Sequence, residues 1–292
     1  MSWTAGLESI VRQQEPLAPR TWLRLGGPAE FFAEPSNQDE LAAVVRRANQ
    51  NGVPMRLLGG GSNVLVPDAG APGVVIHLSA PAFGGIEVNG NVVSAGGGAK
   101  LGQVVSSAAG AGLAGLEALV GIPGTVGGAL RGNAGGRTGD IGQFTQQATV
   151  MTTSGNIATR GRGDLVFAHR QSSLDELAIL SAEFHLDADD PDELTRRMQK
   201  LWIIKKAEQP LAHQACGCIF KSPRGLSAAS LVEQAGLGGT RVGGAEVSDR
   251  NANFIVTEPS AAARDVAKLI DLMRSRVSER LGVDLELEIE LW

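Results

Sequence analysis

The chain has 292 residues, of which 43% are hydrophobic and 20% charged, a globular composition with enough length for two or three domains. Its formal net charge of -5 argues against a surface that binds nucleic acid. No apolar run is long enough to cross a bilayer and the N-terminus lacks a signal-peptide pattern, so we expect a cytoplasmic protein with no membrane insertion.

The first 58 residues predict a lead-in, two strands, a helix and a further strand. Residues 1–20 predict a short amphipathic helix that ends at two prolines. TWLRLGGPAEFF, which begins at Thr21, predicts two strands joined by a Gly-Gly-Pro turn. Ser36 and Asp39 form a capping-box pattern, and Gly52 closes the helix that follows.

Residues 59–63, GGGSN, form the first of two glycine segments that could bind a diphosphate. Glycine lets the backbone approach a ligand closely, and oriented backbone N–H groups attract anions. This first glycine segment is not a Rossmann fingerprint, because no GxGxxG opens a helix. It is not a P-loop either, because no Lys-Ser/Thr pair follows.

Residues 115–136, GLEALVGIPGTVGGALRGNAGG, form the second glycine segment. Glycines alternate there with Leu, Val and Ile, a composition typical of buried backbone that wraps around something with its N–H groups pointing inward. A glycine-rich turn in a core has the same composition. From these residues alone, binding and packing are about equally favoured.

The chain around the second glycine segment is rich in strands. The NGN between IEV and VVSA predicts a hairpin, and Ser154-Gly155-Asn156 predicts the turn of another. A helix is predicted over about 100–109, and ELAILSAEFHLDA predicts a strand. Residues 21–188 therefore form a strand-rich α+β unit that holds both glycine segments.

A break at DADDPDE precedes the last third of the chain. Asp190 begins a linking helix that runs to Pro210, and Ser227 caps a shorter helix. A long helix with one buried face is predicted over about 260–281. The final DLELEIELW alternates apolar and acidic residues and predicts a half-buried strand.

Cys216 and Cys218 are the two cysteines of the chain. Cysteines separated by one residue rarely form a good disulfide, and two ligands alone do not make a zinc site. We therefore expect no bound metal.

Seven stretches resemble the UDP-N-acetylenolpyruvoylglucosamine reductase family, in the family's order: TWLRLGGPAEFF, LLGGGSNVLV, GLEALVGIPGTVGGALRGNAGG, VFAHRQSS, CGCIFKSP, AGLGGTRVGGAEVSDRNANFIV and LELEI. They extend from about Thr21 to the end of the chain. Other flavoproteins share the glycine motifs, but the whole set is specific. The chain has no tyrosine, which fits the branch of the family that lacks a tyrosine-bearing loop over the substrate.

The resemblance implies an α+β fold with two domains. A two-part FAD-binding domain of the PCMH or vanillyl-alcohol-oxidase type would cover residues 21–188, with lobes at about 21–80 and 81–188. A smaller α+β substrate-binding domain, with its linking helix, would cover 189–292. FAD would be held non-covalently, with contacts from both glycine segments at Gly59, Gly60, Gly61, Ser62, Asn63, Gly121, Ile122, Pro123, Gly124, Thr125, Gly127, Gly128 and Asn133.

The implied reaction is the NADPH-dependent, FAD-mediated reduction of UDP-N-acetylglucosamine enolpyruvate to UDP-N-acetylmuramate in peptidoglycan synthesis, by a protein we expect to be a monomer. Negative charge develops on the substrate carboxylate, so the site needs a group that stabilises this charge and an acid that protonates the adjacent carbon.

Three residues match the family's catalytic positions. Arg170 matches an arginine whose planar guanidinium suits a carboxylate, although a surface arginine would look the same. Glu288 matches a glutamate that polarises the substrate carboxylate, but it is one of four acids on one strand face. Cys218 stands where the family has a serine proton donor, and a thiol with a pKa of about 8.5 is a stronger acid than an alcohol.

Two other roles for Cys218 are compatible with the sequence. Free cysteine is usually a small buried hydrophobe, and a thiol here could form a strained, reversible disulfide with Cys216. Three further positions depart from the family: His169 replaces a tyrosine, Ser222 an asparagine and Glu290 a basic residue. Candidate contacts to the phosphates of substrate or NADPH are Lys205, Lys206, Lys221, Ser222 and Arg241.

Two other functions remain open at this point. An FAD-dependent oxidase or dehydrogenase of an alcohol or sugar would use the same flavin domain without NADPH. A flavin-binding protein that has lost catalysis would tolerate the departures, although the retention of Arg170 and Glu288 argues against decay.

Overall fold

The computed structural model describes residues 3–136, 138–210, 214–223 and 225–292. Its contacts divide the chain into two compact units. The first unit comprises Met1–Glu15, Glu30–Gly60 and Pro72–Ile203, and the second comprises Pro16–Ala29, Gly61–Ala71 and Ile204–Trp292. This division differs from the expected ranges because two short N-terminal segments pack with the C-terminal third of the chain.

The elements mix helices and strands along the whole sequence. The helices are α1 (Gln38–Gln50), α2 (Leu101–Gly110), α3 (Val126–Arg131), α4 (Pro191–Glu208), α5 (Ala228–Gln234) and α6 (Ala263–Leu281). The strands are β1 (Val11–Pro16), β2 (Pro28–Ala33), β3 (Met55–Leu58), β4 (Val64–Leu65), β5 (Ala71–His77), β6 (Ile86–Asn89), β7 (Val92–Gly96), β8 (Leu113–Ala114), β9 (Gly135–Gly136), β10 (Gly139–Asp140), β11 (Thr145–Met151), β12 (Ile157–Gly161), β13 (Phe167–Ala168), β14 (Gln171–Ser172), β15 (Ala178–His185), β16 (Asp187–Ala188), β17 (Gln214–Ala215), β18 (Arg241–Val242), β19 (Ala245–Val247), β20 (Ile255–Thr257) and β21 (Glu290–Leu291).

The two larger sheets of the first unit have four and five strands, and three two-stranded sheets accompany them among the described residues: β9–β10, β13–β14 and β8–β16. A four-stranded sheet has the order β1-β2-β5-β3, in which β3 and β5 are parallel. A five-stranded antiparallel sheet has the order β12-β11-β15-β7-β6. The predicted hairpins are confirmed as β6–β7 and β11–β12, with the registers Asn89↔Val92 and Met151↔Ile157 at their turns. Helices α2 and α3 supply apolar side chains to the core on this larger sheet.

Three local predictions for the first 50 residues are wrong. The first of the two strands expected from TWLRLGGPAEFF does not form, because residues 21–27 are irregular and only β2 is a strand. Over the described residues up to 20, the expected lead-in helix is replaced by β1 and a 3-10 turn at Ala18–Arg20. Pairing at the edge of the four-stranded sheet decides this, since amphipathic residues also suit an edge strand. Helix α1 is capped one residue later than expected, because the Asn37 side chain accepts the N–H of Glu40 at 3.0 Å.

The second unit is a four-stranded antiparallel sheet, ordered β17-β20-β19-β18, with α5 and α6 in its core. The predicted buried face of α6 is confirmed, with Val266, Leu269, Ile270, Met273 and Val277 all buried. Asp68 accepts the N–H groups of Ala263 and Arg264 at 2.8 and 3.1 Å, which caps the start of α6. Leu23, Leu25 and Leu65 complete the core from the two N-terminal segments.

The predicted C-terminal strand is shorter than expected. Only Glu290–Leu291 forms a strand, β21, which pairs in parallel with β4. Leu287 instead bridges Phe220. The apolar residues change pairing partners within this short run, so one continuous ladder does not form. In the part of the chain that the structure describes, no helix has the length and apolarity to span a bilayer.

Candidate active site

The two glycine segments meet within the first unit at Gly59 and Gly60. A Cβ atom on Gly60 would lie 2.6 Å from the Cα of Gly124, and a Cβ on Gly59 would lie 2.8 Å from the Thr125 hydroxyl. Any side chain at these positions would force the segments apart. The two glycine segments are therefore in direct backbone contact at Gly60 and Gly124, and the Thr125 hydroxyl lies against Gly59.

The backbone of the second glycine segment is only partly available to a ligand. The N–H groups of Val126 and Gly127 donate to the carbonyls of Ala99 and Gly97 at 2.9 and 2.8 Å. The N–H of Ile122 donates to Leu119. These three N–H groups already donate to backbone carbonyls of the protein. They are therefore not available to a phosphate, although the sequence suggested that the whole segment could bind one. Residues 121–125 are themselves half-buried rather than enclosed in the core.

These residues fit a flavin nucleotide. Residues 59–63 and 121–128 contain no carboxylate that would repel a diphosphate, and the glycines keep side chains off the surface that they share. Gly121 and Gly124 have φ values of 74° and 111°, which a residue with a side chain rarely adopts.

Asn133 is buried, and both ends of its side chain bind protein. Its Nδ2 donates to the carbonyl of Ala168 at 2.8 Å, and its Oδ1 accepts the N–H of Gly142 at 3.1 Å. We expected Asn133 to contact FAD. In the structure its amide instead fastens the hairpin of β13 and β14 to the end of the second glycine segment.

Arg170 lies in the two-residue turn of that hairpin, with a positive φ of 57°. Its Nη1 donates to the carbonyl of Gly135 at 2.9 Å, and the residue is half-buried. Non-glycine residues with positive φ are uncommon and persist where the surroundings hold them. Arg170 is thus a fixed cation beside the second glycine segment, whereas the neighbouring His169 is exposed.

Ser62 and Asn63 belong to the second unit, with the Cys218 turn. The N–H of Gly217 donates to the carbonyl of Ser62 at 3.0 Å. The Asn63 side chain donates through Nδ2 to the carbonyl of Glu288 at 2.8 Å. We expected Asn63 to contact FAD through this side chain. This hydrogen bond holds the C-terminal segment that contains Glu288, and a contact of Asn63 with FAD stays a prediction.

Glu288 is distinguished from the other acids of the C-terminal run. It is half-buried, whereas Asp284, Glu286 and Glu290 are exposed. Its N–H donates to the carbonyl of Ile219, the residue after Cys218, at 2.8 Å. Without the resemblance, the sequence offered no reason to choose one of the four acids as the functional one. The lower exposure of Glu288 in the structure does distinguish it.

The two cysteines have different environments. Both are thiols, with Cys216 buried and Cys218 half-buried. Burial raises the pKa of Cys216 to about 12, and the nearby Cys218 and Glu288 contribute further to the increase. Cys216 is therefore protonated near neutral pH and is a weak nucleophile. Cys218, the more accessible thiol, lies in the same cluster as Glu288.

The candidate phosphate contacts in the second unit have varied surroundings. Lys221 faces the exposed carboxylate of Glu286 at 3.6 Å. Arg241 pairs with both Glu246 and Glu258, so a phosphate would compete with two carboxylates for it. The Ser222 hydroxyl accepts the N–H of Ala228 at the start of α5, and Lys205 lies in the last turn of α4.

From the sequence, Asn253 could orient neighbouring loops or contact the substrate, and neither role is favoured. This residue is buried, and its side-chain amide hydrogen-bonds to both the N–H and the carbonyl of Phe220. The sequence feature that could have indicated a buried structural role is the polar amide inside the apolar run ANFIV.

Among the described residues, no group of three or more His, Cys, Asp or Glu side chains could hold a metal ion.

The chain matches two family models and a large set of known proteins. Residues 29–161 match the FAD binding domain, and residues 209–292 match the UDP-N-acetylenolpyruvoylglucosamine reductase C-terminal domain. A UDP-N-acetylenolpyruvoylglucosamine reductase of Rhodopirellula baltica is 38% identical over 283 residues, 97% of this chain and 93% of that protein.

Solved structures agree with these matches. The crystal structure of UDP-N-acetylenolpyruvylglucosamine reductase from Thermus caldophilus has a TM-score of 0.83 and 36% identity, covering 97% of this chain and 99% of that one. Cholesterol oxidase from B. sterolicum, at 19% identity and a TM-score of 0.50, covers 62% of this chain and 38% of its own and shares the fold alone. The predicted α+β fold with a PCMH-type FAD-binding domain is confirmed. Because similarity at this level extends over nearly the whole length of both chains, the chain belongs to the UDP-N-acetylenolpyruvoylglucosamine reductase family.

Proposed function

We propose that this chain reduces UDP-N-acetylglucosamine enolpyruvate to UDP-N-acetylmuramate, with Arg170, Cys218 and Glu288 as its catalytic residues. As a member of its family, the chain is an FAD-dependent oxidoreductase of peptidoglycan synthesis that uses NADPH as co-substrate. The observation that carries the residue assignment is the hydrogen-bonded cluster of the Cys218 turn and the half-buried Glu288.

FAD would supply the redox chemistry by carrying hydride from NADPH to the substrate. The glycines of residues 59–61 and 121–128 would admit its diphosphate close to the backbone. The Thr125 hydroxyl lies at the point where the two segments meet and would add a polar contact. Asn63 and Asn133 would act on this site indirectly, because their amides hold protein backbone.

The protein would complete the reduction by handling charge and one proton. The Arg170 guanidinium would stabilise the negative charge that develops on the substrate carboxylate. Glu288 would polarise the same carboxylate, acting as a neutral acid. Cys218 Sγ would donate its proton to the carbon next to the carboxylate and remain as a thiolate until it takes a proton from solvent.

Binding of the UDP group would fall to cations of the second unit. Lys221 is the strongest candidate, because its partner Glu286 is 77% exposed and a solvent-exposed ion pair contributes little. Lys205, Ser222 and Arg241 are further candidates, with Arg241 the weakest because two carboxylates already match its charge. The expected monomer and its cytoplasmic location remain proposals, and analytical ultracentrifugation measures the first.

An anaerobic titration tests the proposed function. Purified yellow protein is reduced with NADPH until the flavin absorbance is bleached, and UDP-N-acetylglucosamine enolpyruvate is then added. We expect the flavin absorbance to return without oxygen, and not to return with UDP-N-acetylglucosamine. A flavin that stays bleached would contradict the proposed substrate.

The same titration separates the alternatives. An alcohol or sugar oxidase would be bleached by its own substrate rather than by NADPH, and a catalytically silent protein would bind FAD without turnover. The match of residues 209–292 to the reductase C-terminal domain disfavours the oxidase, and the retention of Arg170 and Glu288 argues against a silent protein.

A further inference from the structure

The Cys218 turn is held by one buried side chain, that of Asn253. Its Oδ1 accepts the N–H of Phe220 at 2.9 Å, and its Nδ2 donates to the carbonyl of Phe220 at 2.8 Å. Its backbone carbonyl also accepts the N–H of Ile219 at 2.9 Å. Three hydrogen bonds from one residue therefore fix the two residues that follow Cys218.

The same turn positions the segment before β21 that contains Glu288. The carbonyl of Ile219 accepts the N–H of Glu288 at 2.8 Å, and the N–H of Lys221 donates to the carbonyl of Glu286 at 2.9 Å. Asn253 thus bonds directly to the turn with the thiol, and through that turn to the backbone of the carboxylate. A shift of the turn would displace both groups.

The chemistry of this contact requires an amide. Phe220 is 0% exposed, so water cannot replace a lost partner of its N–H or its carbonyl. An amide supplies one acceptor and one donor at the spacing of a peptide group, whereas a carboxylate lacks the donor. Asn253 is itself 4% exposed, and the N–H of Asn253 is fixed by the Asn251 side chain at 3.0 Å.

We propose that Asn253 is a positioning residue for the reduction, which sets Cys218 Sγ relative to the Glu288 carboxylate. This inference rests on the proposed function and extends it to a residue that touches neither substrate nor cofactor. Asn253 would act through Cys218 and Glu288, which both serve the step with the enolpyruvyl substrate, so it matters for substrate-dependent reoxidation of the flavin and not for flavin reduction by NADPH.

The test compares Asn253→Gln, which keeps the amide but moves it by one methylene, with Asn253→Ala and the control Asp68→Ala. Asp68 also makes two side-chain hydrogen bonds in the second unit, but to the backbone at the start of α6 rather than to that of the turn. Each FAD-loaded protein is followed anaerobically by stopped flow, first with NADPH and then with the enolpyruvyl substrate.

We expect both Asn253 variants to slow reoxidation about 10- to 100-fold, because small misplacements of reacting groups have effects of that size. Flavin reduction by NADPH should stay within about twofold of wild type for all proteins. Asp68→Ala should lower the melting temperature and leave both rates unchanged. Reoxidation within twofold of wild type in Asn253→Gln and in any foldable Asn253→Ala would overturn the proposal.

A second readout separates this proposal from the proposed function. The rate of Cys218 alkylation by iodoacetamide is measured against pH in the FAD-loaded proteins, with the modified cysteine located by tandem mass spectrometry. We expect the pH profile of Cys218 to shift in the Asn253 variants and not in Asp68→Ala. If the wild-type flavin is not reoxidised by substrate, the proposed function fails, but the pH profile of Cys218 alkylation still tests the positioning role. An unshifted profile in the Asn253 variants would overturn that role.

Discussion

At the scale of single residues, environment separates side chains of the same type. Cys216 is buried and its pKa is raised to about 12, whereas Cys218 is half-buried in a turn beside Glu288. Glu288 lies near both thiols, but only Cys218 is accessible. The structure therefore gives the two cysteines different chemistry although one residue separates them.

Replacing Cys218 should affect one half of the reaction. We expect Cys218→Ala to leave flavin reduction by NADPH intact and to slow reoxidation by substrate about 10²- to 10⁴-fold, the usual range for loss of a general acid. Cys218→Ser is the matched control and should retain more activity than Cys218→Ala. Single-turnover absorbance of the flavin measures both steps, and an unchanged reoxidation rate in Cys218→Ala would remove Cys218 from the mechanism.

Cys216 should make the protein less stable at high pH. Its pKa is about 12 in the folded protein against 9.0 for an exposed thiol, so above pH 9 the unfolded state loses this proton first. The contribution of Cys216 is fully present below pH 9 and is lost as the pH rises toward 12. Wild type should lose stability on the order of 1 kcal/mol relative to Cys216→Ala between pH 7 and pH 10. Urea denaturation at both pH values measures this difference, and a constant gap would contradict the prediction.

At the scale of elements, short segments are fixed by side chains from distant parts of the sequence. The β13–β14 hairpin has only two residues in each strand, yet Asn133 bonds to Ala168 and Gly135 accepts from Arg170. The Ser172 hydroxyl also donates to the carbonyl of Arg131 at 3.0 Å. The end of the second glycine segment thus acts as the support of the hairpin.

Removal of the Asn133 side chain should loosen this hairpin. Asn133→Ala breaks two buried hydrogen bonds and places alanine at a φ of 42°, at a total cost of about 1–3 kcal/mol. Asn133→Gly breaks the same bonds without the φ penalty and should be the less destabilised of the two. Hydrogen exchange over residues 167–172 and thermal unfolding measure the effect, and unchanged protection in both variants would argue against the supporting role.

At the scale of the whole molecule, the two compact units are interleaved in sequence. Pro16–Ala29 and Gly61–Ala71 contribute core leucines, the strand β4 and the Asp68 cap to the second unit. The glycine segment at residues 59–63 is divided between the units, with Gly59 and Gly60 in the first and Ser62 and Asn63 in the second.

Residues 204–292 should not fold when expressed alone. The fragment lacks Leu23, Leu25 and Leu65, so the core of the second unit would be left open, and the α6 start would lose its cap. We expect no cooperative thermal transition in circular dichroism for the fragment, in contrast to the full chain. A cooperative transition in the fragment would show that the N-terminal segments are dispensable.

The sequence by itself determined the elements and chemistry that depend on local patterns. The helical period predicted α6, the turn residues predicted both hairpins, and the quoted motifs identified the family. Local pattern failed at residues 1–20 and in the C-terminal run, because pairing with distant strands decided both.

Only the tertiary structure decided which residues of the candidate site touch one another. The contact between Gly60 and Gly124, the bond from Asn63 to Glu288 and the support of the Cys218 turn by Asn253 join residues far apart in sequence. Such contacts arise from packing and buried hydrogen bonds, which no local periodicity encodes. Burial likewise separated Glu288 from its neighbouring acids, because the alternation is the same for all four.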